Sequence, residues 1–456
     1  MSTKPLHVVI LAAGQGSRMK SALPKVLHAV AGKPMLHHVI ETAEKLGADK
    51  IHTVIGHGAE KVREASDGRN VHWAVQEEQL GTGHAVAQVL PELPDNARVL
   101  VLYGDVPLIK EETLAPMVAT LDEQTLGLLT VTLDDPQGYG RIVRDELGKV
   151  VEIVEQKDAS AEQQAIQEVN TGILAVSARH LKSWLPSLSN ANAQGEYYLT
   201  DIIAMAVQNG LDVSVSQPAN EFEVQGVNNR LQLSELERWY QRKEAERLMT
   251  EGATLADPTR VDVRGELTIG NDILIDINVV FEGLVELGND VSIGPNCVIK
   301  DARIAEGASI KANSVIEGAS VGANAEIGPF ARLRPGTELA AGTKVGNFVE
   351  TKKAIVGEGS KINHLSYVGD ASLGRNVNVG AGTITCNYDG VNKHQTIIGD
   401  GVFVGSNTSL VAPVEVATDA TIGAGSTITR NVADGELAVA RGRQKNISGW
   451  ERPTKD

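Results

Sequence analysis

The segment VGANAEIGPFARLRPGTELAAGTKV, which runs from Val321 to Val345, carries an aliphatic residue at every sixth position. The same spacing returns in other runs, so that the repeated set is Val321, Ile327, Leu333, Leu339 and Val345; Ile398, Val404, Leu410, Val416, Ile422 and Ile428; Ile304, Ile310 and Ile316; and Val356, Ile362 and Val368. A period of six fits neither an α-helix nor a strand of alternating polarity. It is typical of a hexapeptide parallel β-helix, in which each repeat forms one flat side of a coil. We therefore predict a β-helix whose aliphatic residues point inward and stack from coil to coil.

The repeat is interrupted at two places. The spacing slips between Val345 and Val356, and the segment GAGTITCNYDGVNKHQT separates Val379 from Ile398. The second interruption is too long for one side of a coil, so we expect a loop to project there. Long loops on a rigid scaffold often carry function.

The chain before about Arg230 has a different pattern. Apolar strands such as HVVILAAG, KIHTVIGH and RVLVLYGD alternate with helix-like stretches such as PMLHHVIETAEKLGA. This alternation predicts an α/β, Rossmann-like domain with a mostly parallel sheet and helices on both faces. Ligands of such sheets bind beyond the carboxyl ends of the strands. Gly14 and Asp105 each follow a predicted strand, so we expect them to face one crevice.

The segment RLQLSELERWYQRKEAERLMT, residues 230–250, is predicted to form one long amphipathic helix that ends before Gly252. We accordingly divide the chain into a nucleotidyltransferase-like domain at 1–230, a linker helix at 231–251 and a β-helix domain with a tail at 252–456.

The loop LAAGQGSRMKSALPK, Leu11 to Lys25, follows the first strand and indicates a phosphate-binding function. Backbone N–H groups at Gly14 and Gly16 can approach a phosphate closely, and Arg18 and Lys25 add positive charge. The spacing excludes a dinucleotide fingerprint, because Met19 stands where the third glycine is needed. The same segment does not match the P-loop pattern either. For a glycine pair alone, a tight turn that merely links a strand to a helix is the more common explanation.

Composition excludes several classes of function. A net charge of −16 over 456 residues argues against a nucleic-acid partner, since such proteins present basic faces. Cys297 and Cys386 form neither a disulfide framework nor a paired metal motif. The sequence contains no apolar run of membrane-helix length and no secretory signal pattern. We therefore expect a cytoplasmic protein that has no membrane partner.

These motifs together resemble a known family. The signature L-A-A-G-x-G-[ST]-R-M…P-K is shared by sugar-nucleotide pyrophosphorylases, and EQLGTGHA, LYGDVPL, GYGRI, EVNTGI, GVNNR, GNFVETKKA, NHLSYVGD and ITCNYDG make the match more specific. Nearly end to end, the chain resembles the bifunctional bacterial family that joins N-acetylglucosamine-1-phosphate uridyltransferase and glucosamine-1-phosphate N-acetyltransferase activities. The product, UDP-N-acetylglucosamine, is a precursor of peptidoglycan and lipopolysaccharide. The resemblance further implies a left-handed β-helix and a homotrimer with acetyl-CoA sites between subunits.

The resemblance assigns roles to residues of the first half. Leu11, Ala12, Ala13, Gly14, Arg18 and Lys25 would hold the triphosphate of UTP; Gln76, Gly81 and Thr82 would contact the uracil; Tyr103, Gly104, Gly140, Glu155 and Asn170 would line the sugar site; and Asp105 and Asn228 would hold Mg²⁺. Mg²⁺ prefers hard oxygen ligands and usually keeps several waters or phosphates, which suits one carboxylate and one amide. Arg18 and Lys25 would neutralise charge in the transition state.

The resemblance also assigns roles in the second half. His364 would be the general base; Arg334, Lys352, Tyr367 and Asn378 would bind the sugar phosphate; and Ala381, Asn387, Tyr388, Ser406, Ala424 and Arg441 would bind acetyl-CoA. An imidazole with its usual pKa near 6.5 is suited to accept the proton of an attacking amine near neutral pH.

Two alternatives remain at this point. The chain could be a single-activity sugar-nucleotide pyrophosphorylase whose β-helix serves only as a scaffold, in which case His364 and the projecting loop form no acetyl site. It could instead be an interaction protein, as in translation exchange factors that fuse similar domains. The combination of Arg18, Lys25 and Asp105 argues against the interaction protein, because such a protein needs no phosphate and metal site.

Overall fold

The structure, a computed structural model, describes residues 4–455. The predicted domain limits at residues 1 and 456 lie outside these residues. The chain divides between Tyr240 and Gln241 into two compact units. The division falls within one long helix, so the separate linker domain at 231–251 stays a prediction.

The first unit is built on a mixed sheet with helices on both faces. Its strands are β1 (Leu6–Ala12), β2 (Ala29–Val30), β3 (Lys33–Pro34), β4 (Lys50–Ile55), β5 (His72–Val75), β6 (Arg98–Tyr103), β7 (Thr125–Thr132), β8 (Arg141–Arg144), β9 (Val150–Val154), β10 (Glu168–Ser177) and β11 (Asp212–Ser216). Its helices are α1 (Met35–Lys45), α2 (Ala59–Ala65), α3 (Thr82–Ala87), α4 (Glu111–Ala119), α5 (Ala161–Gln164), α6 (Ala178–Trp184) and α7 (Asp201–Gln208), and α8 (Arg230–Thr250) continues into the second unit. Short 3₁₀ turns lie at Ser17–Met19, Lys25–Leu27, Leu90–Glu92, Leu185–Ser187, Glu221–Glu223 and, in the second unit, Pro258–Arg260.

The main sheet has the order β11-β7-β10-β6-β1-β4-β5. Strands β1, β4, β5 and β6 run parallel, whereas β10 is antiparallel to both β6 and β7. Every residue of β1 is buried, because one core packs on Val9 and Leu11 and another packs on Val8 and Ile10. This is the burial expected of a strand covered on both faces. The predicted α/β domain is confirmed, with β10 as an antiparallel insertion.

The second unit consists of short parallel strands that stack coil upon coil. Its strands are β12 (Ala253–Leu255), β13 (Val261–Ile269), β14 (Ile273–Ile275), β15 (Val279–Leu287), β16 (Ser292–Ile293), β17 (Val298–Ile304), β18 (Ser309–Ile310), β19 (Val315–Glu317), β20 (Ala319–Val321), β21 (Glu326–Ile327), β22 (Arg332–Leu333), β23 (Thr337–Leu339), β24 (Lys344–Asn347), β25 (Glu350–Val356), β26 (Lys361–His364), β27 (Tyr367–Leu373), β28 (Asn378–Val379), β29 (Ile384–Cys386), β30 (Thr396–Ile398), β31 (Phe403–Val404), β32 (Ser409–Val411), β33 (Val414–Val416), β34 (Thr421–Ile422), β35 (Thr427–Ile428) and β36 (Leu437–Ala438).

The strands of the second unit form an eleven-stranded and a fourteen-stranded sheet, and hydrogen bonds between adjacent coils include pairs that lie 17 or 18 residues apart in sequence. The aliphatic residues of the six-residue repeat are buried in one continuous core. The arrangement is consistent with the predicted left-handed β-helix. Around the projecting segment, the backbone N–H of Arg375 instead donates to Asp400 Oδ1, 25 positions later, and Tyr388 and Val391 are exposed. The loop predicted from the broken repeat is therefore present.

Within residues 4–455, no helix is long and apolar enough to span a membrane.

Substituting an inward residue should destabilise the β-helix far more than substituting an outward one. Leu333 is fully buried, whereas Leu284 is 64% exposed. We expect Leu333→Ala to lower the free energy of unfolding by about 2–4 kcal/mol, through lost burial and the cavity that remains. Leu284→Ala, the matched control, should change it by less than about 0.5 kcal/mol. Denaturant unfolding followed by circular dichroism measures both; equal effects would contradict the inward stacking.

A stack of histidines should make the first unit sensitive to acid. His7 Nδ1 lies 3.0 Å from His52 Nε2, and the rings of His52 and His72 are 5.7 Å apart. Burial, and then the neighbouring His7 and His72, lower the pKa of His52 to about 4. Since the unfolded imidazole titrates near 6.5, stability is complete above that pH and falls as the pH drops toward 4. The loss for this residue between pH 7 and pH 5 should be about 1–2 kcal/mol.

The test uses tryptophan fluorescence, because Trp73, Trp184 and Trp239 all lie in the first unit. His52→Gln should flatten the dependence of unfolding on pH. His57→Gln, which changes an exposed histidine, should leave the wild-type dependence intact.

Candidate functional site

The first candidate site forms where β1 and β6 end side by side. Leu11 pairs with Tyr103 across the two strands, and Gly104 N donates a hydrogen bond to Leu11 O at 2.9 Å. A Cβ atom at position 104 would lie 3.3 Å from both Ala12 Cβ and Val26 Cγ1. The lack of a side chain at Gly104 therefore favours the close approach of the two strand ends. The crevice predicted to contain Gly14 and Asp105 lies here.

A cavity of about 220 Å³ opens at these strand ends. Its lining includes ten of the predicted residues: Leu11, Ala12, Ala13, Gly14, Lys25, Gln76, Gly81, Thr82, Tyr103 and Asp105. Sequence reasoning did not select Gln79 and Glu196, which also line the cavity. Gln79 lies in the segment EQLGTGHA but was assigned no role there, and Glu196 lies outside the quoted segments.

Both predicted cations and both predicted metal ligands meet in one network beside this cavity. Lys25 Nζ donates to Asp105 Oδ2 and, at 3.2 Å, to Asn228 Oδ1. Arg18 Nη2 donates to the same Asn228 oxygen at 2.9 Å. A parallel backbone link joins Val227 N to Asp105 O at 3.0 Å. The chain thus brings together residues from three distant segments in one network that contains two cations.

The donor atoms of Asp105 and Asn228 fit a magnesium ion. Both are hard oxygens, and both already converge on one cationic atom, Lys25 Nζ. Within residues 4–455, no group of three or more His, Cys, Asp and Glu side chains could hold a metal ion by itself. This donor set suits Mg²⁺, which commonly takes one or two protein ligands and completes its shell with waters and phosphates.

At the opposite side of the cavity, Gln76 is fixed in position. Its side chain is buried, donates to Gly81 O at 3.1 Å, and lies 3.1 Å from His84 Nδ1. Gly81 has a φ of 110°, and a Cβ there would lie 2.6 Å from Tyr197 O, so this turn requires glycine. An amide held in this way can read the hydrogen-bonding edge of a base. His84, which the sequence did not single out, orients it.

The predicted sugar-site residues form a neighbouring cluster. Asn170 N donates to Gly140 O at 2.8 Å, and a Cβ on Gly140 would lie 3.4 Å from Glu155 Oε1. Glu155 accepts a hydrogen bond from Thr200 Oγ1 at 3.0 Å. Burial raises the pKa of Glu155, and the nearby carboxylate of Asp201 adds to the shift. Burial also raises the pKa of Tyr103, with Glu155 and Asp105 contributing.

The second candidate site lies on the β-helix and begins at His364. His364, at the end of β26, pairs in register with Asn347 at the end of β24, and His364 Nδ1 lies 2.9 Å from Asn347 Oδ1. The ring is exposed to solvent. A base in this position is accessible to a substrate.

Successive coils extend this position into a line along the β-helix, which we call the His364 column. Backbone hydrogen bonds of adjacent coils run from Gly382 to His364, from Asn407 to Ala381 and from Gly425 to Ser406. Arg441 Nη1 then donates to Ala424 O at 2.6 Å. The column thus consists of Asn347, His364, Ala381, Ser406, Ala424 and Arg441. Four of the residues predicted to bind acetyl-CoA therefore occupy one face, in chain order.

Three cations lie together near the projecting loop. The side chain of Lys352 contacts Lys393, and this contact, followed by the charges of Lys393 and Arg334, lowers the pKa of Lys352. Arg334 Nη1 also donates to Glu350 Oε1 at 2.7 Å. Sequence reasoning missed Lys393, although it lies in the loop that the broken repeat had marked. Three adjacent cations form a suitable site for a phosphate.

A side-chain hydrogen bond fixes the start of the projecting loop. Asn387 Nδ2 donates to Asp370 Oδ2 at 2.5 Å, whereas the Tyr388 ring is 59% exposed. Tyr367 lies in β27, next to β25, which carries Lys352. Asn378 lies in β28 of the other sheet, paired with Lys361 and Phe403. The roles assigned to all these residues stay predictions.

Comparison with known proteins agrees with both units. Residues 8–179 match the model of the MobA-like NTP transferase domain, and residues 395–430 match that of the bacterial transferase hexapeptide. A nucleotidyl transferase of solved structure from Methanothermobacter thermautotroptrophicus is 18% identical and covers 53% of this chain and 100% of its own, with a TM-score of 0.39.

Two curated relatives match nearly end to end. The "Bifunctional protein GlmU" of Pseudomonas putida is 62% identical over 99% of both chains. The protein of the same name from Marinobacter nauticus is 80% identical, again over 99% of both chains. Since this identity extends through the nucleotidyltransferase unit and the hexapeptide unit alike, the chain belongs to the bifunctional GlmU family.

Proposed function

We propose that this enzyme carries out the last two steps of UDP-N-acetylglucosamine synthesis for the cell wall. The second unit would acetylate glucosamine 1-phosphate with acetyl-CoA, and the first unit would transfer UMP from UTP to the product and release pyrophosphate. The observation that carries the proposal is the network of Arg18, Lys25, Asp105 and Asn228 beside the cavity in a chain that also carries the His364 column.

In the uridylyl transfer, a phosphate oxygen of the sugar attacks the α-phosphorus of UTP, and the bond to pyrophosphate breaks. Two polyanions must meet, so charge neutralisation dominates catalysis. Lys25 and Arg18 supply positive charge at the mouth of the cavity, and Gln76 orients the uracil. Mg²⁺ held by Asp105 and Asn228 would neutralise phosphate oxygens. Glu155 and Asn170 would hold sugar hydroxyl groups.

In the acetyl transfer, the amine of the sugar attacks the thioester carbonyl. A C–N bond forms and the C–S bond breaks, and His364 takes the proton from nitrogen and passes it to the departing sulfur. Lys352, Lys393 and Arg334 would hold the sugar phosphate. Ala381, Ser406, Ala424 and Arg441 of the His364 column would bind the coenzyme, with a backbone N–H near Ala381 stabilising the oxyanion.

We also propose a homotrimer working in the cytoplasm, where UTP and acetyl-CoA are available. Phe330, Phe348 and Leu365 are 50%, 56% and 62% exposed, and the two phenylalanine rings stack at 5.4 Å. All three have positive φ, which is unfavourable for bulky side chains. An exposed apolar stripe next to the His364 column is what an interface between subunits requires.

The two activities should be lost independently. Asp105→Asn should lower uridylyl transfer at least about 100-fold by removing the only carboxylate of the Lys25 network, with acetyl transfer intact. His364→Ala should do the reverse, because the base is removed. Thiol release from acetyl-CoA and pyrophosphate release from UTP measure the two reactions on the same preparation. Loss of both activities in one folded variant would contradict the two-site proposal.

The same assay distinguishes the proposed two activities from the alternative in which the β-helix is only a scaffold. If folded wild-type protein released pyrophosphate but no thiol with glucosamine 1-phosphate, the β-helix would be a scaffold.

The apolar stripe should control assembly. Phe330→Asn with Phe348→Asn removes apolar area with a residue that tolerates positive φ. We expect this double variant to sediment as a smaller species than wild type. Leu147→Asn, at a residue 84% exposed in the first unit, is the control and should sediment as wild type. An unchanged sedimentation coefficient in the double variant would place the interface elsewhere.

A further inference from the structure

The strongest unassigned contact near the second site is the one between Asn347 and His364. The two residues are register partners in adjacent coils, and Nδ1 of the ring lies 2.9 Å from the amide oxygen. Asn347 lies in the segment GNFVETKKA that the family match uses, but no role was assigned to it there. We propose that Asn347 is the positioning residue of His364, which fixes its tautomer and aims Nε2 at the substrate; this rests on the proposed acetyl transfer.

The tautomer follows from the chemistry of the amide. A carbonyl oxygen can only accept a hydrogen bond, so the ring nitrogen that faces it must carry the proton. The neutral imidazole then has its lone pair on Nε2, on the side away from Asn347. That lone pair is the one required to take a proton from an attacking amine.

The backbone holds both partners at fixed positions. His364 O accepts hydrogen bonds from Ser366 Oγ at 2.8 Å and from Gly382 N at 3.3 Å. A Cβ atom on Gly346 would lie 2.0 Å from Asn363 O, so the two coils approach closely beside the pair. Phe348 and Leu365, which follow the two residues, share left-handed φ values of 58° and 48°. Two coils that turn in the same way at this corner keep the two side chains stacked.

The partner is neutral, which distinguishes this pair from a histidine–carboxylate pair. A carboxylate beside Nδ1 would stabilise the charged imidazolium and raise the pKa of the base. An amide orients the ring without that added charge. The charged side chains on the stacked strands β24 and β26 are Lys344 and Lys361, which lie at the opposite ends of these strands, and Lys344 pairs with Glu326 at 2.5 Å. The next strand, β28, contributes Asn378 and Val379.

The first test compares Asn347→Ala with Asn347→Asp. Asn347→Ala should lower kcat for acetyl transfer about 10- to 100-fold, with little change in KM for acetyl-CoA and with uridylyl transfer unchanged. Asn347→Asp restores an acceptor and should recover most of the activity at high pH. The midpoint of its acid limb should rise by about 0.5–1 pH unit, because the carboxylate favours imidazolium. A merely structural role would not move this midpoint.

Ser309→Ala is the matched control. Ser292 and Ser309 form a side-chain hydrogen bond of 3.1 Å between adjacent coils of the same sheet, away from His364. Its removal should leave kcat and the pH profile unchanged. An unchanged kcat in Asn347→Ala, or an Asn347→Asp profile with the wild-type midpoint, would overturn the proposal.

A second test does not depend on activity. Long-range ¹H–¹⁵N correlation spectra of the full chain at pH 8, with the His364 signal assigned by His364→Gln, report which ring nitrogen carries the proton. We expect the Nδ1–H form in wild type and a mixture in Asn347→Ala. A wild-type Nε2–H form would refute the positioning role. Absence of thiol release with the Nδ1–H form present would instead refute the acetyl transfer.

Discussion

The second unit depends on one constraint, the stacking of inward aliphatic side chains at equivalent positions of successive coils. Ile310, Ile327, Val345 and Ile362 occupy such positions, and each is buried against the next. A slip by one residue would turn these side chains toward solvent. The register between coils is therefore fixed, and with it the position of every outward residue. The His364 column exists because this register repeats the same corner several times.

In the first unit, residues are positioned by the ends of neighbouring strands and not by stacked coils. Parallel β1 and β6 end together, and Gly104 lets them approach closely enough for their loops to share one crevice. Lys25 also forms a hydrogen bond with Asn228, which lies in a distant segment of the sequence. In both units, chemistry is placed by backbone register, and the reactive side chains are added where regular structure stops.

Features that repeat along the sequence, such as the β-helix, could be predicted. Residue roles that arise from contacts between coils or loops could not. The six-residue spacing was sufficient to predict the β-helix and its projecting loop, since the signal is summed over many coils. The antiparallel β10 could not be foreseen, because its apolar run is equally compatible with either direction. Asn347 and Lys393 were missed for a related reason: each is significant only through a residue one coil or one loop away. His84 likewise gains its role from Gln76, which a turn brings within 3.1 Å.

The local distribution of charge is compatible with the proposed binding of two anionic substrates by a chain of net charge −16. Two of the cations proposed to face substrate are already paired with carboxylates, Lys25 with Asp105 and Arg334 with Glu350. These pairs keep the cations ordered and limit their attraction for unrelated anions. In the proposed sites, a phosphate that enters would exchange one anionic partner for another, so little new ordering would be required. At Lys352 the balance differs, because Lys393 crowds it and lowers its pKa. In the proposed acetyl-transfer site, an arriving phosphate would relieve this repulsion between like charges, which would favour a phosphorylated sugar over a neutral one.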